Sequence, residues 1–246
     1  VMHEIEPIGR ATMSSSLPSA TNYHKFLYSS LRPYLSGKIW ELGCGYGQYT
    51  DFLIQDGFKV LATDIEQSFL EDLKNKYSNT SSLEAEKVDL YSTEEIQKCR
   101  QYQPETVLSL NVLEHIADDK LAISTIAKEV PSVKRMVFLV PAMPQLYGFM
   151  DKEAGHHRRY TKQSLEDVFK SAGFKINRSN YVNAVGGVGW FVRNKLMPPK
   201  SNSLDDPKVN GDIALFDKYG VPLAKLTDPL FQQFFGQAVI VISVRH

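Results

Sequence analysis

From Lys38 to Val140 short apolar runs alternate with helix-patterned segments, and no other feature restricts the fold as strongly. The runs are Lys38-Ile39-Trp40-Glu41-Leu42, Phe58 to Thr63, Leu83 to Val88, Thr106 to Leu110, and Met136 to Val140, which Pro141 stops. Between them the apolar spacing predicts helices from Gln48 to Gln55, closed by Gly57, from Glu66 to Tyr77, and from Ile116 to Glu129. Strands separated by helices make βαβ units, which pair in parallel through right-handed crossovers. The expectation is an α/β fold with a mostly parallel sheet.

The flanks differ. Residues 1–20 are polar and rich in serine, and they read as a flexible segment. A helix is expected from Thr21 to Leu35. After the fifth run, Thr161 caps a helix to Ala172, Gly173 closes it, and Phe174 to Val182 reads as a strand. From Asn183 to Gly236 the pattern turns irregular, with a Pro/Ser/Asp-rich stretch from Pro198 to Pro207 and an apolar, helix-like stretch from Ile213 to Leu226. Ala238 to Val244 is a strong last strand. Residues 21–246 therefore read as one domain, with 183–236 inserted as a cap or lid.

Composition narrows the partners. Formal net charge is zero over 246 residues, so no global field attracts nucleic acid or an anionic membrane. The two cysteines, Cys44 and Cys99, make no disulfide framework. The first 20 residues hold no apolar signal core, and no stretch has the apolar length of a membrane span. A cytoplasmic setting is expected.

Glu41-Leu42-Gly43-Cys44-Gly45-Tyr46-Gly47 lies where the first strand ends and a helix begins. Glycines there let the backbone turn tightly and approach a ligand, and helix N–H groups favour anionic groups. Asp64 follows at the end of the next strand, about 20 residues on, where an acid can accept ribose hydroxyls. A dinucleotide loop reads G-x-G-x-x-G, whereas this one reads G-x-G-x-G after Glu41. In this the chain resembles the class I S-adenosylmethionine-dependent methyltransferases, whose first motif is E-x-G-x-G-x-G. The resemblance continues through Ala62-Thr63-Asp64-Ile65, Val88-Asp89-Leu90 and Ser109-Leu110-Asn111-Val112-Leu113-Glu114-His115. It implies a Rossmann-like seven-stranded sheet, strand order 3-2-1-4-5-7-6, with the last strand antiparallel. It also implies S-adenosylmethionine as cofactor and S-adenosylhomocysteine as product. Gly43, Gly45 and Gly47 would run under the methionine part, and Asp64 with Ile65 would meet the ribose. Asp89 and Leu90 would meet the adenine, and Asn111 and Val112 the other side. Glu41 and Tyr23 complete the implied cofactor set. Glu114-His115 reads either as an acid/base pair or as support for its loop.

The second half resembles a bacterial, small-molecule subgroup of these enzymes that carries P-A-x-P-x-L-Y-G and G-H-x-R-R-Y-T. The matching residues are Pro141 to Gly148, Asp151, and Gly155-His156-His157-Arg158-Arg159-Tyr160-Thr161, with Tyr181 to Trp190, Leu215-Phe216-Asp217 and Asn22-Tyr23. Val130 to Val133 departs from the usual proline–glycine–glycine turn. The reaction expected is methyl transfer to a small molecule, at oxygen first, which needs a base, with nitrogen or carbon as the alternative acceptor atom. Histidine suits that role near neutral pH. Neighbours in an extended loop face opposite ways, so one of His156 and His157 points inward. The family pattern fixes the first, which makes His156 rather than His157 the candidate base and leaves His157 to solvent; the alternative is that the run is a structural hinge before the next helix. Asp151 would orient it or pair with an arginine. Arg158 and Arg159 would clamp an anionic group or pair with Asp151 or Glu153. Tyr147, Tyr181, Asn183 and Trp190 would line the acceptor site or belong to the core of the insertion. A metal is not expected, because Asp151, His156 and His157 lack a third ligand at a recognisable spacing. A nucleic-acid or protein methyltransferase and a silent cofactor-binding scaffold are the rival readings; no [DNS]-P-P-[YF] loop follows the fourth strand.

Overall fold

The computed structural model describes residues 19–192 and 207–245. Nearly all of the 1–20 segment and of the Pro198–Pro207 stretch lies outside the described residues. The strands are β1 Ile39–Leu42, β2 Val60–Asp64, β3 Leu83–Lys87, β4 Thr106–Leu110, β5 Arg135–Pro141, β6 Lys175–Val182 and β7 Ala238–Val244. They form one sheet in the order β3-β2-β1-β4-β5-β7-β6. The first five pair in parallel. β7 runs antiparallel to both β5 and β6. The expected order and the reversed last strand are both present.

The sheet is covered on both faces, as parallel strands require. Side chains alternate along β5: Met136, Phe138 and Val140 face one layer, and Val137 and Leu139 the other. The first layer holds α5 (Asp119–Glu129) and α7 (Lys162–Ser171), through Ile123, Ile126, Leu165 and Phe169. The opposite layer holds α1 (Thr21–Leu31), α2 (Gln48–Gln55) and α3 (Gln67–Lys76), through Leu27, Leu31, Leu53 and Leu70. Phe138 and Phe169 meet edge to face at 5.1 Å between ring centres. Truncating such a buried ring costs about 3–5 kcal/mol.

Two helix boundaries differ from expectation. The first helix stops at Leu31 rather than Leu35, because Pro33 has no N–H to continue the ladder and a single 3₁₀ turn, Arg32–Tyr34, takes over. The helix expected from Ile116 begins at Asp119, because the Asp118 side chain accepts from Leu121 N at 2.9 Å and caps it there. Glu114 and His115 lie in a separate 3₁₀ turn, Leu113–His115.

The described parts of the 183–236 insertion are helical rather than irregular: α8 Ala184–Phe191, α9 Pro207–Leu215 and α10 Val221–Phe231, with a π turn, Phe216–Gly220, between the last two. Two aspartates dock them. Asp217 accepts from Tyr23 N at 2.7 Å and from the Asn22 side chain at 3.0 Å, capping α1 from the far end of the chain. Asp228 accepts from Asn183 N at 2.7 Å and Ala184 N at 2.9 Å at the start of α8. The remaining helices, α4 Thr93–Lys98 and α6 Phe149–Glu153, follow β3 and β5. Among the described residues no helix is long and apolar enough to cross a membrane.

Candidate active site

The implied cofactor residues gather at one edge of the sheet, since the loops after parallel strands all open on the same side. Gly43 turns at φ +75°, and a Cβ there would meet Val112 Cγ2 at 2.2 Å. The loop after β1 therefore packs directly on the loop after β4, a contact only glycine permits. Asp64 ties the loops together: it accepts from Gly45 N and from Glu66 N, each at 2.9 Å. Each carboxylate oxygen keeps a second lone pair, as a ribose-binding acid requires. Asp89 accepts from Tyr91 N at 2.9 Å and stands beside the half-sheltered end of β3. Asn111 takes the left-handed conformation at φ 55°, turning the chain at the end of β4.

Glu41 is buried, and its carboxyl accepts from Thr50 Oγ1 at 2.5 Å, joining β1 to α2. Burial pushes it up to about 8, so it carries its proton at neutral pH. Gly47 caps α2 with no side-chain hydrogen bond, so the helix start keeps amide N–H groups for a carboxylate. These features fit the amino-acid end and the ribose of S-adenosylmethionine. Tyr23 reaches this region from α1, with Asn183 as its hydrogen-bond partner; burial pushes its hydroxyl up to about 12. Cys44 is a buried neighbour of the loop, and burial raises its thiol far beyond nucleophilic range.

The G-H-H-R-R-Y-T stretch lies across the loop after β4. His157 N donates to the Glu114 carbonyl at 2.8 Å. This bond turns the His157 side chain outward, where it is exposed, and His156 inward. His156 Nδ1 lies 3.0 Å from Asp151 Oδ1. Asp151 is fully buried and also accepts from Arg159 Nε at 2.7 Å and Gly148 N at 2.9 Å. Burial opposes its charge, but His156 and Arg159 outweigh it and hold the carboxyl below its usual range. Being ionised, Asp151 accepts, so the bond from His156 Nδ1 orients the ring and leaves Nε2 on its far side.

His156 Nε2 lies 3.8 Å from Glu114 Oε1. Glu114 is wholly buried, and neither of its oxygens has a hydrogen-bond partner. Burial pushes it up to about 7, against the pull of His156 and Arg159. His115 stacks edge to face on His156 with ring centres 4.8 Å apart, and burial brings it down to about 4.

The other expected acceptor residues divide. Arg159 is buried and spent inside the protein, on Asp151, on the Ala142 carbonyl at 3.1 Å, and stacked on Trp190 at 4.9 Å. Of the pairings left open in the sequence, it takes the internal one. Arg158 is partly exposed and pairs with Asp119 at 2.9 Å. Tyr147 donates to the His156 carbonyl at 2.7 Å and so braces that loop. Tyr181 accepts from Lys162 N at 3.2 Å at the start of α7. Asn183 is buried at φ 60° and caps α8 through Gly186 N at 2.9 Å. Sequence reasoning left Glu114 and His115 undecided between chemistry and support; the only signal was two ligand-type residues adjoining a strand end.

Comparison with known proteins agrees with this geometry. A family model described as a methyltransferase domain matches residues 40–130. No curated protein sequence matches the chain significantly. Among solved structures, a SAM-dependent methyltransferase from Archaeoglobus fulgidus is similar at 14% identity and a TM-score of 0.57, covering 90% of this chain and 94% of its own. One from Mesorhizobium loti has 15% identity and a TM-score of 0.58, covering 89% and 98%. The magnesium protoporphyrin IX methyltransferase of Synechocystis, with bound SAH, has 13% identity and a TM-score of 0.54, covering 94% and 84%. Residues 40–130 thus match a methyltransferase domain, and the described chain has the fold of solved SAM-dependent methyltransferases.

Proposed function

We propose that this enzyme methylates a hydroxyl oxygen of a small molecule in a biosynthetic pathway, and that His156 is the base. The observation that carries the reading is the Asp151–His156 pair, 3.0 Å apart, at the same sheet edge as the implied cofactor residues. The cofactor, when bound, supplies an electrophilic methyl group on a positively charged sulfur. The protein's part is to hold an acceptor in line and receive its proton. Asp151 orients the ring, Arg159 holds Asp151, and Nε2 is the nitrogen that would take the acceptor's proton. The loop after β5, braced by Tyr147, and the helices of the 183–236 segment then cap the acceptor side. Arg158 is the cation near the rim that an anionic acceptor would meet.

Several features support the cofactor side: the glycine loop against Val112, Asp64 at the end of β2 bonded to Gly45 N, Asp89 and Leu90 after β3, Asn111 after β4, and the uncapped start of α2. Calorimetry with S-adenosylhomocysteine tests this part, and absence of binding rejects it. A methyl-donor consumption assay with pooled hydroxyl acceptors tests the rest. Turnover confined to amines or carbon acids would reject the oxygen acceptor.

A further inference from the structure

Buried Glu114 needs a partner that the protein does not supply. Its two carboxylate oxygens are enclosed and have no hydrogen-bond partner, and Oε1 lies 3.8 Å from His156 Nε2. A buried carboxyl left without any hydrogen-bond partner is costly, and a bound cation would relieve it. The distance of 3.8 Å is too long for a direct hydrogen bond. His115 completes the group. One ligand atom each from Glu114, His115 and His156 lies within 4.8 Å of the others. Nδ1 of His115 is likewise buried without a well-formed hydrogen bond.

We propose that Glu114, His115 and His156 bind one divalent transition-metal ion. Four observations converge on it. The donor set, two imidazoles and a carboxylate, suits zinc, cobalt, iron or manganese rather than magnesium or calcium, which favour oxygen. The outer partner is already in place: Asp151 holds His156 through Nδ1, as carboxylates hold metal-bound histidines. Arg159 and Gly148 N in turn hold Asp151. The unsatisfied oxygens of Glu114 find their counter-charge in the ion. Bond lengths of about 2.0–2.2 Å put ligand atoms roughly 3–4 Å apart, so small side-chain movements close the trio.

Three protein ligands leave a coordination position open, the arrangement of a catalytic rather than a structural ion. Glu114 and His115 follow Asn111 and Val112, so the ion would sit on the acceptor side. This step rests on the proposed oxygen-acceptor reading and alters it in one respect. With the ion bound, His156 Nε2 would be a ligand rather than the base, and the ion would lower the pKa of an acceptor hydroxyl at the open position so that its proton passes to solvent water.

The test uses the full chain, freed of metal by a chelator and then titrated with Co²⁺, which reports its ligand field in visible absorption. The expected result is one Co²⁺ per chain, displaced by Zn²⁺ but not by equimolar Mg²⁺. Glu114→Gln and His156→Ala should each weaken binding by about a hundredfold. Calorimetry with S-adenosylhomocysteine on the same samples checks the fold and the cofactor site independently. If Glu114→Gln fails that check, His156→Ala, at the more open side of the trio, decides the question. No stoichiometric Co²⁺ binding by wild type overturns the proposal, as does equal binding by a folded variant. S-adenosylhomocysteine binding with no Co²⁺ binding rejects the metal site alone; loss of both rejects the cofactor reading too.

Discussion

Glu114 and His156 face one another across 3.8 Å, although one lies in the turn after β4 and the other beyond β5. The His157 N–H to Glu114 carbonyl bond beside them sets this register and decides which histidine looks inward. His156→Ala is therefore expected to lower turnover by at least about a hundredfold, the range of a lost acid–base group. Affinity for S-adenosylhomocysteine should change little. Steady-state rates with a found acceptor, beside calorimetry, check this; an unchanged rate would reduce the loop to a hinge.

Gly43→Ala addresses the packing of the two loops. The added methyl would meet Val112 at 2.2 Å on a backbone with φ +75°, so both clash and strain oppose it. A loss of about 1–3 kcal/mol in stability and a tenfold or greater loss in S-adenosylhomocysteine affinity are expected. Chemical denaturation and calorimetry measure the two. Normal values for both would show that the loops do not need this contact.

Glu41 ties stability to pH. Burial raises its native value to about 8 from 4.5, so the folded protein keeps a proton that the unfolded chain releases. The folded state then binds more protons, and stability falls as pH rises from about 4.5 to about 8. Glu41→Gln keeps an oxygen for Thr50 and removes the titration. Its stability relative to wild type should rise with pH across that interval, by up to a few kcal/mol. Urea denaturation at pH 5, 6.5 and 8 gives the comparison; a constant gap contradicts it.

Asp217→Ala tests how the C-terminal helices hold α1. The carboxylate caps Tyr23 N and Asn22, and its loss leaves the first turn uncapped. A cost of about 1–2 kcal/mol is expected, a few degrees in Tm. Hydrogen exchange should show it concentrated in Thr21–Leu31. Uniform exchange across the domain would mean that α1 is held by its apolar face alone.

The local rules made much of this protein legible from its sequence. Alternation of period two and helical spacing, interrupted by glycine and proline, depends on near neighbours, so the strands β1, β2, β4, β5 and β7 fall within a residue or two of their expected places. The glycine loop and Asp64 were legible for the same reason, since backbone conformation and strand-end chemistry are local. Strand order came with the family resemblance rather than from spacing. The C-terminal insertion was less legible, because its helices are docked by Asp217 and Asp228, whose partners lie far away in the chain. The site divides along the same line. A third ligand sought near His156 along the chain was not there; Glu114 and His115 reach it from another loop. Arg159 has the chemistry of an anion clamp, yet packing turns it onto Asp151. Sequence determines which groups a segment carries and how it repeats; only the packing of one strand-end loop against the next decides which of those groups meet.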